Sequence, residues 1–237
     1  MVDGITATLA AVVYGGLTIG LARSWRRRGL GWTMIVAAGA TALWGAVGAL
    51  SVWWPSASGI LVALADYARL AAWTLLVVAN LRAVASADKS KALTGWGLSA
   101  VILLFVMGVA SEVGDAAGVF LAAGLSPIIR LILAISALVL LEMLFSATTG
   151  DLRWTFKHLV IALATIFGSD LYFASEAFLF RSDSGLLSPA RHLVHIVAVP
   201  FLMVGAARVR GLALDVNISR RVVMGGTMLV GSGGYLL

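Results

Sequence analysis

The sequence predicts an all-α fold: a polytopic transmembrane helical bundle of seven complete helices plus a partial eighth, with the N-terminus outside. Three observations carry this expectation. Of the 237 residues, 61% are hydrophobic and 12% are charged, whereas soluble domains have roughly 45–50% apolar and about 25% charged residues. The mean hydropathy is +1.01, and apolar runs recur at the length of about 20 residues that a helix needs to cross about 30 Å of hydrocarbon. Lys and Arg, which set the net charge of +6, gather in short clusters between the runs, as topology signals do. A nucleic-acid binder would carry them on one face of a folded domain, so the expected partner is the lipid bilayer and no nucleic acid.

A first helix is expected over residues 5–22, within a single membrane domain spanning residues 1–237. Asp3 precedes it and Arg23 follows it, the reverse of a signal peptide's basic start, so it is expected to remain in the mature protein. Gly16 and Gly20 have the spacing of a close-packing face, or coincide by chance in a chain with 26 Gly. Arg23, Arg26, Arg27 and Arg28 form a basic turn, cytoplasmic by the positive-inside rule, and a second helix covers 31–51. Trp53-Trp54-Pro55-Ser56 makes the opposite loop. The third helix, over 59–82, ends in a basic loop with Asp88, Lys89 and Lys91.

The fourth helix, over 93–110, leads into an acidic loop holding Glu112 and Asp115. The fifth, over 119–145, contains Pro127, which predicts a kink because proline lacks the N–H that an interior position needs. Asp151, Arg153 and Lys157 mark the return to the cytoplasm, the sixth helix covers 158–180, residues 181–185 form an outer loop, and the seventh covers 189–208. Arg208, Arg210, Arg220 and Arg221 precede an apolar run over 222–237 that is short of a full crossing. Most of the 17 Lys and Arg then face the cytoplasm, which sets the N-terminus outside. Six of the eight Trp (Trp25, Trp32, Trp53, Trp54, Trp96 and Trp154) fall at the ends of apolar runs, where an amphipathic indole prefers the headgroup level.

Ionisable residues inside these helices are the functional candidates, because charge in a bilayer is costly unless it faces a bundle interior or a wet cavity. Depth at about 1.5 Å per residue puts them at one level. Asp66 and Arg69 lie in the outer part of the third helix and Arg130 in the outer part of the fifth. Asp170, Tyr172 and Glu176 lie in the outer half of the sixth, and Arg191, His192 and His195 in the first turns of the seventh. The other half holds only Asn80, Glu142 and His158, near helix ends. Three cations (Arg69, Arg130, Arg191) balance three carboxylates (Asp66, Asp170, Glu176), which predicts ion pairing. Asp66 and Arg69 share a helix face, as do His192 and His195, and Tyr172 and Glu176. Asp170 and Glu176 diverge by about 120° and should meet different neighbours.

Two readings of this layer stand side by side. It is a structural network that fixes packing and register, or a polar pocket open to the periplasm. Guanidinium and imidazole groups there would suit an anionic or zwitterionic small molecule, or sense pH. For His192 and His195 an interhelical hydrogen bond is expected rather than a metal site, since no third ligand is evident. Trp44, Trp73 and Phe173, Phe178 and Phe180 read as packing. With no Cys there is no thiolate chemistry, and no His-Glu-x-x-His, phosphate-binding Gly-Lys-Ser/Thr or Gly-x-Ser-x-Gly motif occurs. The only lysines are Lys89, Lys91 and Lys157, at cytoplasmic ends, so a retinal-type Schiff base has no candidate. No catalytic residue, metal or cofactor is expected. The lack of an internal repeat argues against an inverted-repeat transporter.

Asp170-Leu-Tyr, Ser175-Glu-Ala-Phe-Leu-Phe-Arg181, Ala206-Ala-Arg208, Ser219-Arg-Arg-Val-Val223 and Tyr235-Leu-Leu237 occur in an order and spacing that resembles the membrane domain of PrsK-type sensor histidine kinases. These kinases accompany the PEP-CTERM/exosortase exopolysaccharide system of Gram-negative bacteria. The likeness is specific from about Trp154 onward and departs at Met224-Gly225, where the family pattern has Phe-His. It implies that the eighth helix is completed beyond Leu237, that a ninth returns to the cytoplasm, and that a GAF-like domain and a kinase core follow. The chain would then be the input module of a two-component sensor in the bacterial inner membrane, a homodimer at full length. It would reach a response regulator only through the kinase domain, with Arg208, Arg220 and Arg221 as signal-transmission candidates. A small-solute or ion transporter or channel, and a non-catalytic membrane scaffold subunit, are the alternatives.

Overall fold

A computed structural model describes residues 2–24, 29–54, 59–84, 87–118, 125–180 and 188–211. They form seven α-helices: α1 (Val2–Ser24), α2 (Gly29–Trp53), α3 (Gly59–Val84), α4 (Ala87–Ala116), α5 (Leu125–Ala147), α6 (Asp151–Phe180) and α7 (Ser188–Gly211). All seven contain a stretch long and apolar enough to cross a membrane. Helix satisfies every backbone N–H and C=O within the segment, which hydrocarbon requires. The expected eighth helix over 222–237, residues 119–124 of the expected fifth, and Trp25, Arg220 and Arg221 lie outside the described residues.

Helix ends depart from the hydropathy boundaries in one consistent way. α4 begins at Ala87 and takes in Asp88, Lys89 and Lys91, then runs to Ala116, so Glu112 and Asp115 sit on a helix and not in the expected acidic loop. α6 begins at Asp151 and carries Arg153 and Lys157 in its first two turns, ahead of the expected start at 158. Apolarity marks where hydrocarbon begins, whereas a helix continues until its hydrogen-bond ladder is broken. Gly150, at φ 55°, makes that break between α5 and α6 in the left-handed region that favours glycine. Pro127 lies in the first turn of α5, where the missing N–H has no intrahelical partner to lose, so the expected interior kink is not there. The interior proline is Pro200 in α7, which deprives the Ile196 carbonyl of its bond.

Consecutive helices pack against each other, and α1 also packs on α7, closing a ring of α1, α2, α3, α5, α6 and α7. α4 leans on α3 and α5 from outside. Of the apolar span in α3, 61% is buried, against 17% in α4, which makes α3 the central element. The helices alternate in direction. The start of α1 meets the end of α2, where Gly4 lies under the Trp53 indole, and Asp3 meets Ser188 at the start of α7. At the other end, Arg208 of α7 meets Trp154 of α6. We call these the Asp3 end and the Arg208 end.

Close approach uses different glycines from the pair spaced for it. A Cβ on Gly45 would stand 2.8 Å from the Ala11 nitrogen and 2.9 Å from the Ala7 carbonyl oxygen, so α1 and α2 meet backbone to backbone. Gly205 meets α6 the same way, 2.9 Å from the Leu159 nitrogen. A Cβ on Gly16 or Gly20 would meet nothing within 4 Å, so their spacing makes no close-packing face among the described residues. Below the polar layer the core is apolar, with Leu76 of α3, Leu133 of α5, Leu163 and Phe167 of α6 and Leu202 of α7 all buried. Trp73 donates its indole N–H to Thr41 Oγ1 at 2.8 Å, a polar contact between α3 and α2 within this core. Tryptophan exposure sorts by position: Trp32, Trp53, Trp54 and Trp154 at helix ends are 55–70% exposed, while Trp44 and Trp73 in mid-helix are at most 3% exposed.

Candidate functional site

Within the ring, toward the Asp3 end, four charges alternate in a closed cluster. Asp66 and Arg69 stand three apart on α3 and therefore on one face, and Arg69 reaches both acids. Its Nη2 donates to Asp66 Oδ1 at 2.8 Å and to Asp170 Oδ1 at 2.7 Å, its Nε to Asp66 Oδ1 at 3.2 Å, and its Nη1 to Asp170 Oδ2 at 3.1 Å. The grip on Asp170 of α6 is bidentate, the geometry that suits guanidinium and carboxylate best. Arg191 of α7 closes the cluster, its Nη2 donating to Asp66 Oδ1 at 2.8 Å and Asp170 Oδ1 at 3.0 Å. Each acid thus touches both arginines, and each arginine both acids.

Around this square the partners become more exposed toward the end of the bundle. The Arg69 side chain is 0% exposed, Asp170 3% and Asp66 7%, while Glu112 is at 17%, Arg191 at 19% and Arg130 at 27%. Arg130 of α5 bridges outward: its Nη1 is 3.4 Å from Asp66 Oδ2, and its Nη2 donates to Glu112 Oε1 at 2.8 Å. Ser126 also donates to Glu112, and the Arg130 guanidinium lies 5.1 Å over the Tyr67 ring. The Nε atoms of Arg130 and Arg191 are buried and have no hydrogen-bond partner among the described residues.

His195 Nε2 lies 2.6 Å from Arg69 Nη1, and its Nδ1 lies 2.9 Å from the Arg191 carbonyl oxygen. A guanidinium only donates, so Nε2 is the acceptor and Nδ1 carries the proton given to the carbonyl. Those two contacts fix the neutral Nδ1–H tautomer. Tyr14 of α1 donates its hydroxyl to the His195 carbonyl at 2.9 Å, tying α1 to α7 at this depth. His192 sits one turn nearer the end, with Nδ1 3.5 Å from Asp3 Oδ1, and the same carboxylate oxygen accepts from Ser188 at 2.8 Å. Trp44 of α2 is the common wall. It stacks on His192 at 4.5 Å, meets His195 at 5.0 Å, and has the Arg69 and Arg191 guanidiniums 4.8 and 5.2 Å from its ring.

The structure therefore unites Asp66, Arg69, Arg130, Asp170, Arg191 and His195, with His192 beside them. Tyr172 does not join: it is 59% exposed and sits edge-on to Phe173 at 5.4 Å. The reason is angular, since two residues along a helix are about 200° apart, so Tyr172 and Asp170 face opposite sides. Glu176 is half-buried, about 9 Å farther along α6 by helical rise. Asp170 meets both the third and the seventh helix, through Arg69 and Arg191. Glu112 adds a carboxylate that the sequence placed in a loop and so left out of the charge balance. Trp44, read as packing alone, packs on the two imidazoles and two guanidiniums of the site; its mid-helix position, unlike the six interfacial Trp, was the available signal. Arg208 stands apart from the cluster, at the far end of α7, where its Nη1 donates to the Trp154 carbonyl at 3.3 Å. No protein-family model, curated protein or solved structure matches the chain.

Proposed function

We propose that the chain is the transmembrane input module of a bacterial sensor histidine kinase of the PrsK type, set in the inner membrane with the Asp3 end toward the periplasm. In this reading the ion cluster receives an anionic group, a carboxylate or phosphate, at its less buried side. The observation that carries the proposal is the pair of buried Nε–H groups on Arg130 and Arg191 that have no partner among the described residues, on two arginines that both lean on Asp66. A buried donor without an acceptor is a standing cost, and an incoming oxyanion relieves it. Binding there also competes with Asp66 and Asp170 for Arg191, which loosens α7 from α3 and α6. Because interfaces between packed helices hold a small number of discrete arrangements, that change travels as a helix shift. α7 carries it to Arg208, past Pro200, where one backbone bond is already missing.

In cells carrying the full-length protein and a transcriptional reporter of its pathway, Arg130→Gln and Arg191→Gln should each alter the response while the protein still accumulates in the membrane. A wild-type response from both variants overturns the ligand role of the cluster. The reading frame after the Leu237 codon tests the kinase assignment directly. A phosphoacceptor-His region and an ATP-binding core are expected there, and a stop codon removes that assignment. Solute flux through liposomes bearing the chain alone would favour a transporter instead.

A further inference from the structure

The Arg208 end carries cations that are arranged in the opposite manner. Trp154, in the first turn of α6, has Lys157 Nζ 5.0 Å from its ring centroid and the Arg208 guanidinium carbon 5.2 Å from it. Arg208 is also held to the Trp154 carbonyl, at 3.3 Å. One residue earlier, Arg153 lies 4.4 Å over the Phe145 ring. The fields of Arg208 and Lys157 both reach His158, whose Nδ1 is buried and has no hydrogen-bond partner among the described residues. None of the ion pairs among the described residues includes Arg153, Lys157 or Arg208.

Two cations drawn to one ring repel each other, and the attraction of each to the indole face is weak when exposed. An anion between them turns that repulsion into two attractions. The depth of the group says which anion. The apolar spans of α6 and α7 begin at Leu152 and end at Val209, so Lys157, His158 and Arg208 lie within about two turns of the hydrocarbon edge. Phospholipid phosphates stand at that level, and Trp154, 61% exposed, is the aromatic anchor suited to it. We infer that Arg153, Lys157, His158 and Arg208, around Trp154, form a site for the headgroup of an anionic phospholipid. Lys157 and Arg208 pair with the phosphodiester oxygens, Arg208 through the guanidinium edge turned away from the Trp154 carbonyl. The His158 imidazole borders the site with its Nδ1 turned into the protein, and the indole lies against the glycerol. A zwitterionic lipid brings its own cation to the same place and leaves the cluster's charge uncompensated, so the site discriminates by net headgroup charge. Free phosphate has the same oxygens but lacks the acyl chains that hold the headgroup at this depth.

The test uses the chain reconstituted in phosphatidylcholine vesicles with and without phosphatidylglycerol, with one lipid at a time brominated near the headgroup. Trp154 emission is isolated as the difference between the protein and its Trp154→Phe variant. At equal mole fraction, brominated phosphatidylglycerol should quench that emission several-fold more than brominated phosphatidylcholine. Lys157→Gln with Arg208→Gln should equalise the two lipids, while Lys157→Arg with Arg208→Lys keeps the preference, and helical circular dichroism verifies the fold of each. Arg23→Gln with Arg82→Gln, which removes two charges elsewhere, should also keep it. Equal quenching by both lipids, or a preference that survives Lys157→Gln with Arg208→Gln, overturns the site. So does a preference lost equally in the Arg23 and Arg82 variant, which would assign it to diffuse surface charge. Abolition of the preference by millimolar inorganic phosphate would assign the cluster to free phosphate and overturn the lipid reading.

Discussion

At the Asp3 end, Arg69 is wholly enclosed and binds Asp66 and Asp170 at 2.7–3.2 Å, with His195 on a third side. At the Arg208 end, Lys157 and Arg208 share the ring of one exposed tryptophan and enter no described ion pair. The same residue types behave differently because of depth. A cation enclosed by protein and lipid has lost its water and must find carboxylates, since an unpaired buried charge costs several kcal/mol. A cation at the bilayer edge keeps water or lipid phosphate within reach of its long side chain. Acidic partners are therefore structural necessities at one end and would be counterproductive at the other, where they would compete with the headgroups.

The comparison is open to attack by substitution. Arg69→Gln should be the most damaging change, costing about 3–5 kcal/mol by leaving Asp66 and Asp170 side by side without their enclosed, bidentate partner and with only the more exposed Arg191 and Arg130 to balance them. Denaturant titration of the detergent-solubilised protein measures it, and a loss no greater than that of an exposed substitution would mean the cluster is not holding the bundle. Gly45→Leu should cost roughly 1–3 kcal/mol by forcing α1 off α2, read in the same titration, and a stability unchanged from wild type would mean that α1 is free to move away. A cycle of Arg69→Gln, Asp170→Asn and the double variant sharpens the picture, since partners in one network should couple by about 0.5–3 kcal/mol; strict additivity would contradict the bidentate contact. Trp73→Phe removes the hydrogen bond to Thr41, about 0.6 kcal/mol on the mean for interhelical bonds in membranes, and leaves a cavity beside a fully buried position, so the total should be about 1–2 kcal/mol, with expression and the ion cluster intact. Lys157→Gln with Arg208→Gln should stay within about 0.5 kcal/mol of wild type, and a loss on the scale of Arg69 would erase the distinction between the ends.

Much of the site could be read before the fold was in view. Asp66 with Arg69 and His192 with His195 share faces because spacings of three residues do so in any helix, and depth followed from helical rise alone. What escaped was anything that depends on direction around or beyond a helix. Tyr172 is two residues from Asp170 and faces away from it. Glu112 lies past the apolar run of α4, so hydropathy ended the helix before reaching it, yet the backbone continues and brings its carboxylate to Arg130. Gly16 and Gly20 have the right spacing, yet a Cβ on either would meet open space among the described residues, while Gly45 and Gly205 are distinguished by what stands opposite them.

The sequence by itself determined the class of the molecule, its seven spans, the level at which its charges lie and the aromatic marking of its helix ends. Each of these depends on composition and on rise per residue, properties local to a segment. Tertiary structure alone decided that α3 is central and α4 peripheral, that one arginine binds two carboxylates from different helices, that Trp44 walls the site, and that two cations meet over Trp154. Those outcomes require the rotation of each helix about its axis and the choice of its neighbours. In lipid these are set by side-chain fit, close backbone approach and charge pairing, because apolar surface has little preference between lipid and protein.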